Sequence, residues 1–330
     1  MKTAIADLFE SLQIRPVLVE IGSSQHTADI WRDIAPYSTY VAIGPDSRAV
    51  SKDSRRGFRE FIPVEVAATD RPVGHAKLHV AKDPVYSSLL QANAKVLSEF
   101  FDLGCVAADH ETEVTCSTVN AVIANLDITQ IDWLKTNING LDARILQNLG
   151  AGFRQRLLAV DTCLDFIDLF SGQDATLAQH PELVGEGFWL SRLLTCGGLK
   201  MRKDSLQQLQ NRFSGIDRVA LEGRHRVSPG WAFATYFRSV DSMMADDFTR
   251  RQYVLLWSFA LLDRQFGFAA DLAFAYETIF GRDAISNKML LAAAVRLANL
   301  KPHVSPLRKA ASAVIPGPLK RGLRRLIVGA

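Results

Sequence analysis

The chain has 330 residues, about two domains' worth at roughly 150 residues each. Its 48% hydrophobic and 22% charged residues are the composition of a protein with a buried core, which excludes wholesale disorder. The net charge of +3 is uneven: residues 301–330 carry seven cations and no acid, which leaves the first 300 residues with 31 cations against 35 acids and argues against nucleic-acid binding by the body of the protein.

No run of 18 apolar residues occurs, so no transmembrane helix is expected. The first residues meet Asp7 and Glu10 before any unbroken apolar stretch, so the sequence predicts a cytoplasmic protein without a secretory signal. Four cysteines (Cys105, Cys116, Cys163 and Cys196) form no CxxC pair and read as reduced, mostly buried thiols rather than metal ligands.

In chain order, residues 4–13 read as a short helix. The run Pro16-Val-Leu-Val-Glu-Ile-Gly22 has the continuous apolar character of a buried parallel strand that runs into a loop. Residues 27–35 look helical, and Thr39 to Ile43 form a second strand stopped by Gly44-Pro45-Asp46. A basic, helix-like stretch from Arg48 to Arg59 precedes a third strand, Phe61 to Ala67, closed by Thr69-Asp70. His75 to Val80 and Glu111 to Ser117 alternate polar and apolar positions, as half-exposed strands do. Ile131 to Thr136 is another strand, followed by Asn137-Ile-Asn-Gly140 and a helix over 141–149; Arg156 to Thr162 is the next. Strands alternating with helices predict an α/β fold with a doubly wound parallel sheet over 1–172. Residues 176–214 and 231–300 read as helical, so a helical region is expected over 173–300, ahead of a basic, proline-broken tail at 301–330.

Ligands of such sheets bind outside the carboxyl ends of the strands. The first such loop, Glu20-Ile-Gly22-Ser-Ser-Gln-His26, has one glycine and not the G-x-G-x-x-G of a dinucleotide site. A lone glycine behind a strand-end acid suits S-adenosylmethionine: the acid faces the cationic methionine end and the glycine admits close backbone approach. His75 and His79 share a strand face but have no third ligand nearby and Lys77 between them, so no metal site is expected. Neither a G-x-S-x-G elbow nor a P-loop occurs, which argues against hydrolase and nucleotide-triphosphatase chemistry.

Taken together, Val19-Glu-Ile-Gly22, Ala42-Ile-Gly-Pro45-Asp46, Val66-Ala-Ala-Thr-Asp70, Tyr86-Ser-Ser-Leu-Leu90, Thr118-Val-Asn120, Ile131-Asp-Trp-Leu-Lys135-Thr-Asn-Ile-Asn-Gly140 and Asp161 with Phe166-Ile-Asp-Leu-Phe170-Ser-Gly172 resemble, in order and spacing, the FkbM-type S-adenosylmethionine-dependent methyltransferases. The resemblance covers residues 15–172 and implies a Rossmann-like class I methyltransferase sheet. It implies S-adenosylmethionine as cofactor, held by Glu20, Gly22, Ser23, Ser24, Asp46 and Asp70. Lys135, Asn137 and His26 would be the catalytic positions, and the acceptor a hydroxyl of a saccharide or other polar small molecule.

The chain departs from the family where it has Glu20 for an aspartate, Ser23-Ser24 and His26 in the first loop, Gly44 for the ribose-binding glutamate, and Asn120, Asn137 and Asn139 for carboxylates. These neutral positions motivate an alternative: a catalytically silent relative serving as scaffold or as partner of an active methyltransferase. Trp189, Trp231, Phe233, Tyr236 and Trp257 are expected in the core, an acceptor pocket or a homodimer surface. In the tail, Leu319, Leu323 and Leu326 fall at i, i+4 and i+7 beside four cations, so residues 317–328 suggest peripheral contact with an anionic membrane at its inner face.

Overall fold

A computed structural model describes residues 2–22, 29–46, 57–216, 221 and 226–300. Helix α1 (Lys2–Ser11) buries Ile5, Leu8 and Phe9, one face at helical spacing, and leads into β1 (Val17–Ile21). Strands β2 (Thr39–Ile43) and β3 (Glu60–Val64) follow. The β1–β2 crossover holds 3₁₀ turns at Asp29–Trp31 and Ala35–Tyr37 among the described residues, where the sequence suggests a helix over 27–35. Most of the basic stretch from Arg48 to Arg59 lies outside the described residues. Pro63 is tolerated in β3 because that strand is an edge.

The chain then builds a separate three-stranded sheet in the order β4-β6-β5, from β4 (Ala67–Thr69), β5 (His75–Ala81) and β6 (Ala108–Thr118). The segment between β5 and β6 carries the short helix α2 (Ala94–Leu97). After α3 (Val119–Asn125), β7 (Trp133–Thr136), α4 (Asp142–Asn148), α5 (Ala151–Arg156) and β8 (Ala159–Asp165) come α6 (Gln179–Gly185), β9 (Phe188–Gly198), α7 (Lys203–Arg212) and β10 (Ser228–Arg238). The last described helices are α8 (Val240–Ala245), α9 (Arg250–Leu262), α10 (Phe266–Phe280) and α11 (Ala284–Ala298).

The main sheet has seven strands in the order β3-β2-β1-β7-β8-β10-β9. All run parallel except β10, which is antiparallel to both β8 and β9. Counted within this sheet alone, the order is third, second, first, fourth, fifth, seventh, sixth. That is the doubly wound, Rossmann-like order of class I methyltransferase sheets, with its switch point between β1 and β7.

Strands β9 and β10 correct the expectation of helix over 176–214 and 231–300. The run Trp231 to Phe237 is buried at every position but Phe233, so it lacks the period-two signature and cannot be told from a core helix by pattern. Pairing with β8 decides it. Two of the sheet's seven strands therefore come from beyond residue 172.

Helices cover both faces. On one, Val19, Ile21, Leu134 and Val160 pack with residues of α3, α4 and α6. On the other, Leu18, Trp133, Ala159 and Phe237 meet α1, α9, α10 and α11. Helix α9 is buried all round from Gln252 to Leu261, so it lies between the sheet and the outer helices. Its start is fixed by a capping box, in which the Thr249 side chain accepts from the Gln252 N–H and the Gln252 side chain accepts from the Thr249 N–H.

Candidate functional site

The switch point lies where β1 and β7 leave the sheet, and the two exits are locked together. Asn137 N–H donates to the Ile21 carbonyl at 3.0 Å, and Gly22 N–H donates to the Ile43 carbonyl at 2.9 Å. Gly22 has φ +77°, and a Cβ there would stand 2.1 Å from the Asn137 carbonyl oxygen. Glycine is required by both the torsion and the contact. The β2 exit beside it places Gly44 in a buried turn and Asp46 in an exposed one.

The turn after β7 is held in turn by the segment before α2. Asn139, with φ +56°, donates through its side chain to the carbonyls of Val85 and Ser87 at 2.9 and 2.8 Å. The Ser88 hydroxyl donates to the Asn139 carbonyl at 2.8 Å. The serine-bearing loop therefore sits over the β7 exit. Behind it, Asp142 accepts from the Ile138 N–H and is fully buried. Burial pushes its carboxyl up to about 7, helped by the charges of Asp165 and Asp174 and opposed by hydrogen bonds from Thr136 and Ile138. Asp165 is likewise raised, to about 6, first by burial.

Glu20 and Lys135 are brought together. Glu20 is 1% exposed, and its two oxygens accept from the Tyr40 hydroxyl and from Lys135 Nζ, each at 2.6 Å. They belong to a row in strict register across five strands: Glu20, Lys135, Asp161, Thr235 and Arg192. Asp161 accepts from the Thr235 hydroxyl at 2.6 Å and from Trp133 Nε1 at 3.2 Å. Arg192 donates to Thr235 Oγ1 at 3.1 Å and faces Asp263 at 3.5 Å. Glu20 with Lys135 and Asp263 with Arg192 each pair a buried carboxylate with a more exposed cation, while Asp161 is held by neutral donors.

Other expected positions are more dispersed. Ser23, Ser24 and His26 lie outside the described residues. Asp70 follows β4, in the small sheet rather than the main one. Asn120 bridges α3 to the end of α4, donating to the Asn148 carbonyl at 2.8 Å and accepting from the Gly150 N–H at 3.0 Å. His79 pairs with Glu111 at 3.2 Å across the small sheet, and all four cysteines are free thiols. Tyr236, Trp231 and Trp257 are buried, whereas Phe233 is exposed.

Sequence reading missed Arg192, and it used Asp161 only as a motif residue. The in-register row was invisible because its members lie up to 215 residues apart in the chain. The available signal was a charged residue inside a mostly apolar strand, as at Glu20, Lys135 and Asp161.

A cavity of about 730 Å³, lined by Arg154, Arg156, Arg238, Asp246 and Asp247 among others, lies at the opposite, amino end of the strands. It adds nothing to the switch point.

No family model matches the chain, and no curated protein matches it at a significant level. A solved structure described as that of an antibiotic-related methyltransferase is similar over 70% of this chain and 92% of its own, at 12% identity and a TM-score of 0.27. A superposition that loose adds nothing to the strand order.

Proposed function

We propose that the chain is an S-adenosylmethionine-dependent methyltransferase that acts on a hydroxyl of a saccharide or other polar small molecule. The observation that carries the reading is the switch point itself. In a sheet of this order the crevice beyond β1, β2 and β7 is the ligand edge, and here those three exits converge on Gly22, Gly44 and Asn137.

The residues at that edge fit the donor, with one change from the sequence expectation. Backbone around Gly22 and the turn at Gly44 offers close approach, and exposed Asp46 is the carboxylate available to a ribose diol. Glu20 has both oxygens occupied, so its part is to orient Lys135 rather than to hold the donor's ammonium directly. When bound, the donor supplies an electrophilic methyl group. The chain's share is positioning, which supplies much of the rate of such a transfer, and a carboxylate or amine near the acceptor oxygen to take its proton. Asp161, beside Lys135 in the row, meets that requirement.

Isothermal titration of the full chain with S-adenosylmethionine and S-adenosylhomocysteine tests the reading. The expected result is binding in the micromolar range, about −8 kcal/mol. Absence of heat up to millimolar ligand would overturn it and leave the scaffold or partner role.

A further inference from the structure

One stretch of the main sheet lies uncovered between two roofs. On the face that carries the Glu20-to-Arg192 row, Phe237 and Trp189 sit under α10, with Phe237 stacked on Phe268. Toward the carboxyl edge, Cys163 and Trp231 are buried under Leu97, Phe100 and Phe170, contributed by the segment around α2 and the turn after β8. Between these covers Phe233 pairs directly with Cys163 on one side and Leu194 on the other. Phe233 is 40% and Leu194 60% exposed. An aromatic ring and a leucine side by side on a bare strip of sheet, next to a buried ionic row, are unlike the isolated apolar residues of an ordinary surface.

The chemistry of the row specifies what the strip would take. Its cations are already claimed, Lys135 by Glu20 and Arg192 by Asp263. Asp161 has two neutral donors, the Thr235 hydroxyl and the Trp133 indole, and no ion pair of its own among the described residues. A carboxylate offers about four lone-pair sites, so Asp161 retains capacity for a further donor. With Asp263 counted beside the row, three carboxylates stand against two cations, which disfavours an anion there. Burial raises the Asp161 carboxyl, against the pull of Lys135 and Arg192, so a hydrogen bond from a neutral hydroxyl satisfies it without a second buried charge.

We propose that this strip binds the methyl acceptor as a molecule with a hydroxyl on an apolar ring, the hydroxyl donating to Asp161 and the ring lying on Phe233 and Leu194. The assignment rests on the methyl-transfer reading and, within it, selects a hydroxyl on an apolar ring over a saccharide as the acceptor.

The test uses 4-methylphenol and toluene as paired probes, read by saturation-transfer NMR on the full chain. The expected result is 4-methylphenol binding at least about tenfold more tightly than toluene, because a site with a buried acceptor rejects the analogue that lacks the hydroxyl. Phe233→Ser, at an exposed position, should weaken 4-methylphenol at least about tenfold. Asp161→Asn should bring the two probes to near equality. Binding that ignores the hydroxyl, binding that survives Phe233→Ser, or no binding of either probe would each overturn the assignment. Calorimetry with S-adenosylhomocysteine on the same proteins separates the two claims. Donor binding with an inert strip removes the acceptor site alone, and a responsive strip without donor binding removes the methyl-transfer reading.

Discussion

Asp142 is a buried carboxyl at the root of the β7 exit, and its raised value has a consequence for stability. The folded chain holds protons on Asp142 and Asp165 to about 7 and about 6, whereas the unfolded chain releases them near the ordinary carboxylate value of 3.8. Between those limits folding takes up protons, so this contribution is full below about pH 4 and is lost as pH rises to 7. Thermal denaturation should therefore show a Tm at pH 8 at least about 3 °C below that at pH 5.5. Asp142→Asn should remove most of the difference; an unchanged slope in that variant would locate the effect elsewhere. The same residue shows how much of the site was legible. Sequence reading placed Gly22, Glu20 and Lys135 correctly at strand ends, because strand-end glycines and acids interrupt apolar runs. It did not foresee that Gly22 is demanded by the Asn137 carbonyl, or that Glu20 and Lys135 hold each other, because strand adjacency depends on topology and not on local pattern.

At the scale of elements, Arg238 joins two helix ends that would otherwise leave carbonyls unpaired. From the end of β10 it donates to the carbonyls of Arg154, Gln155 and Leu157 at the close of α5 and of Glu186 just past α6. Its guanidinium stacks 4.0 Å from the Phe188 ring centroid. The Arg238 side chain is almost wholly buried, and burial lowers its pKa to about 10. Arg238→Met keeps the bulk but strands several C-terminal carbonyls, and should cost at least about 3 kcal/mol in urea unfolding. A loss under about 1 kcal/mol would mean water replaces the guanidinium there. The strand that carries this arginine was the least legible element. Parallel strands β1, β2 and β7 declared themselves through a strand-then-turn rhythm, whereas β9 and β10 are long, lack a clean period-two alternation and are joined through α7, so they read as helix until paired.

For the whole molecule, the covering of the sheet and the distribution of charge belong together. The face left with 3₁₀ turns between β1 and β2, among the described residues, is closed by α1 and the terminal helices α9 to α11, so the last described helix packs on the core and not across a membrane. No described helix is long and apolar enough to cross one. The seven cations of residues 301–330 follow directly on that helix but lie outside the described residues, and they contrast with the −4 of the rest. Lys320, Arg321, Arg324 and Arg325 beside Leu319, Leu323 and Leu326 would gain about 1 kcal/mol per cation near anionic headgroups. That is enough for reversible attachment and too little to survive screening, since the Debye length shrinks to a few ångströms at molar salt. The full chain should therefore float with phosphatidylglycerol vesicles at low salt, be released by about 0.5 M salt, and lose flotation when truncated after residue 300. Truncation at that point leaves every described element intact. Equal flotation of both chains, or flotation indifferent to salt, would assign any membrane contact to the folded body instead.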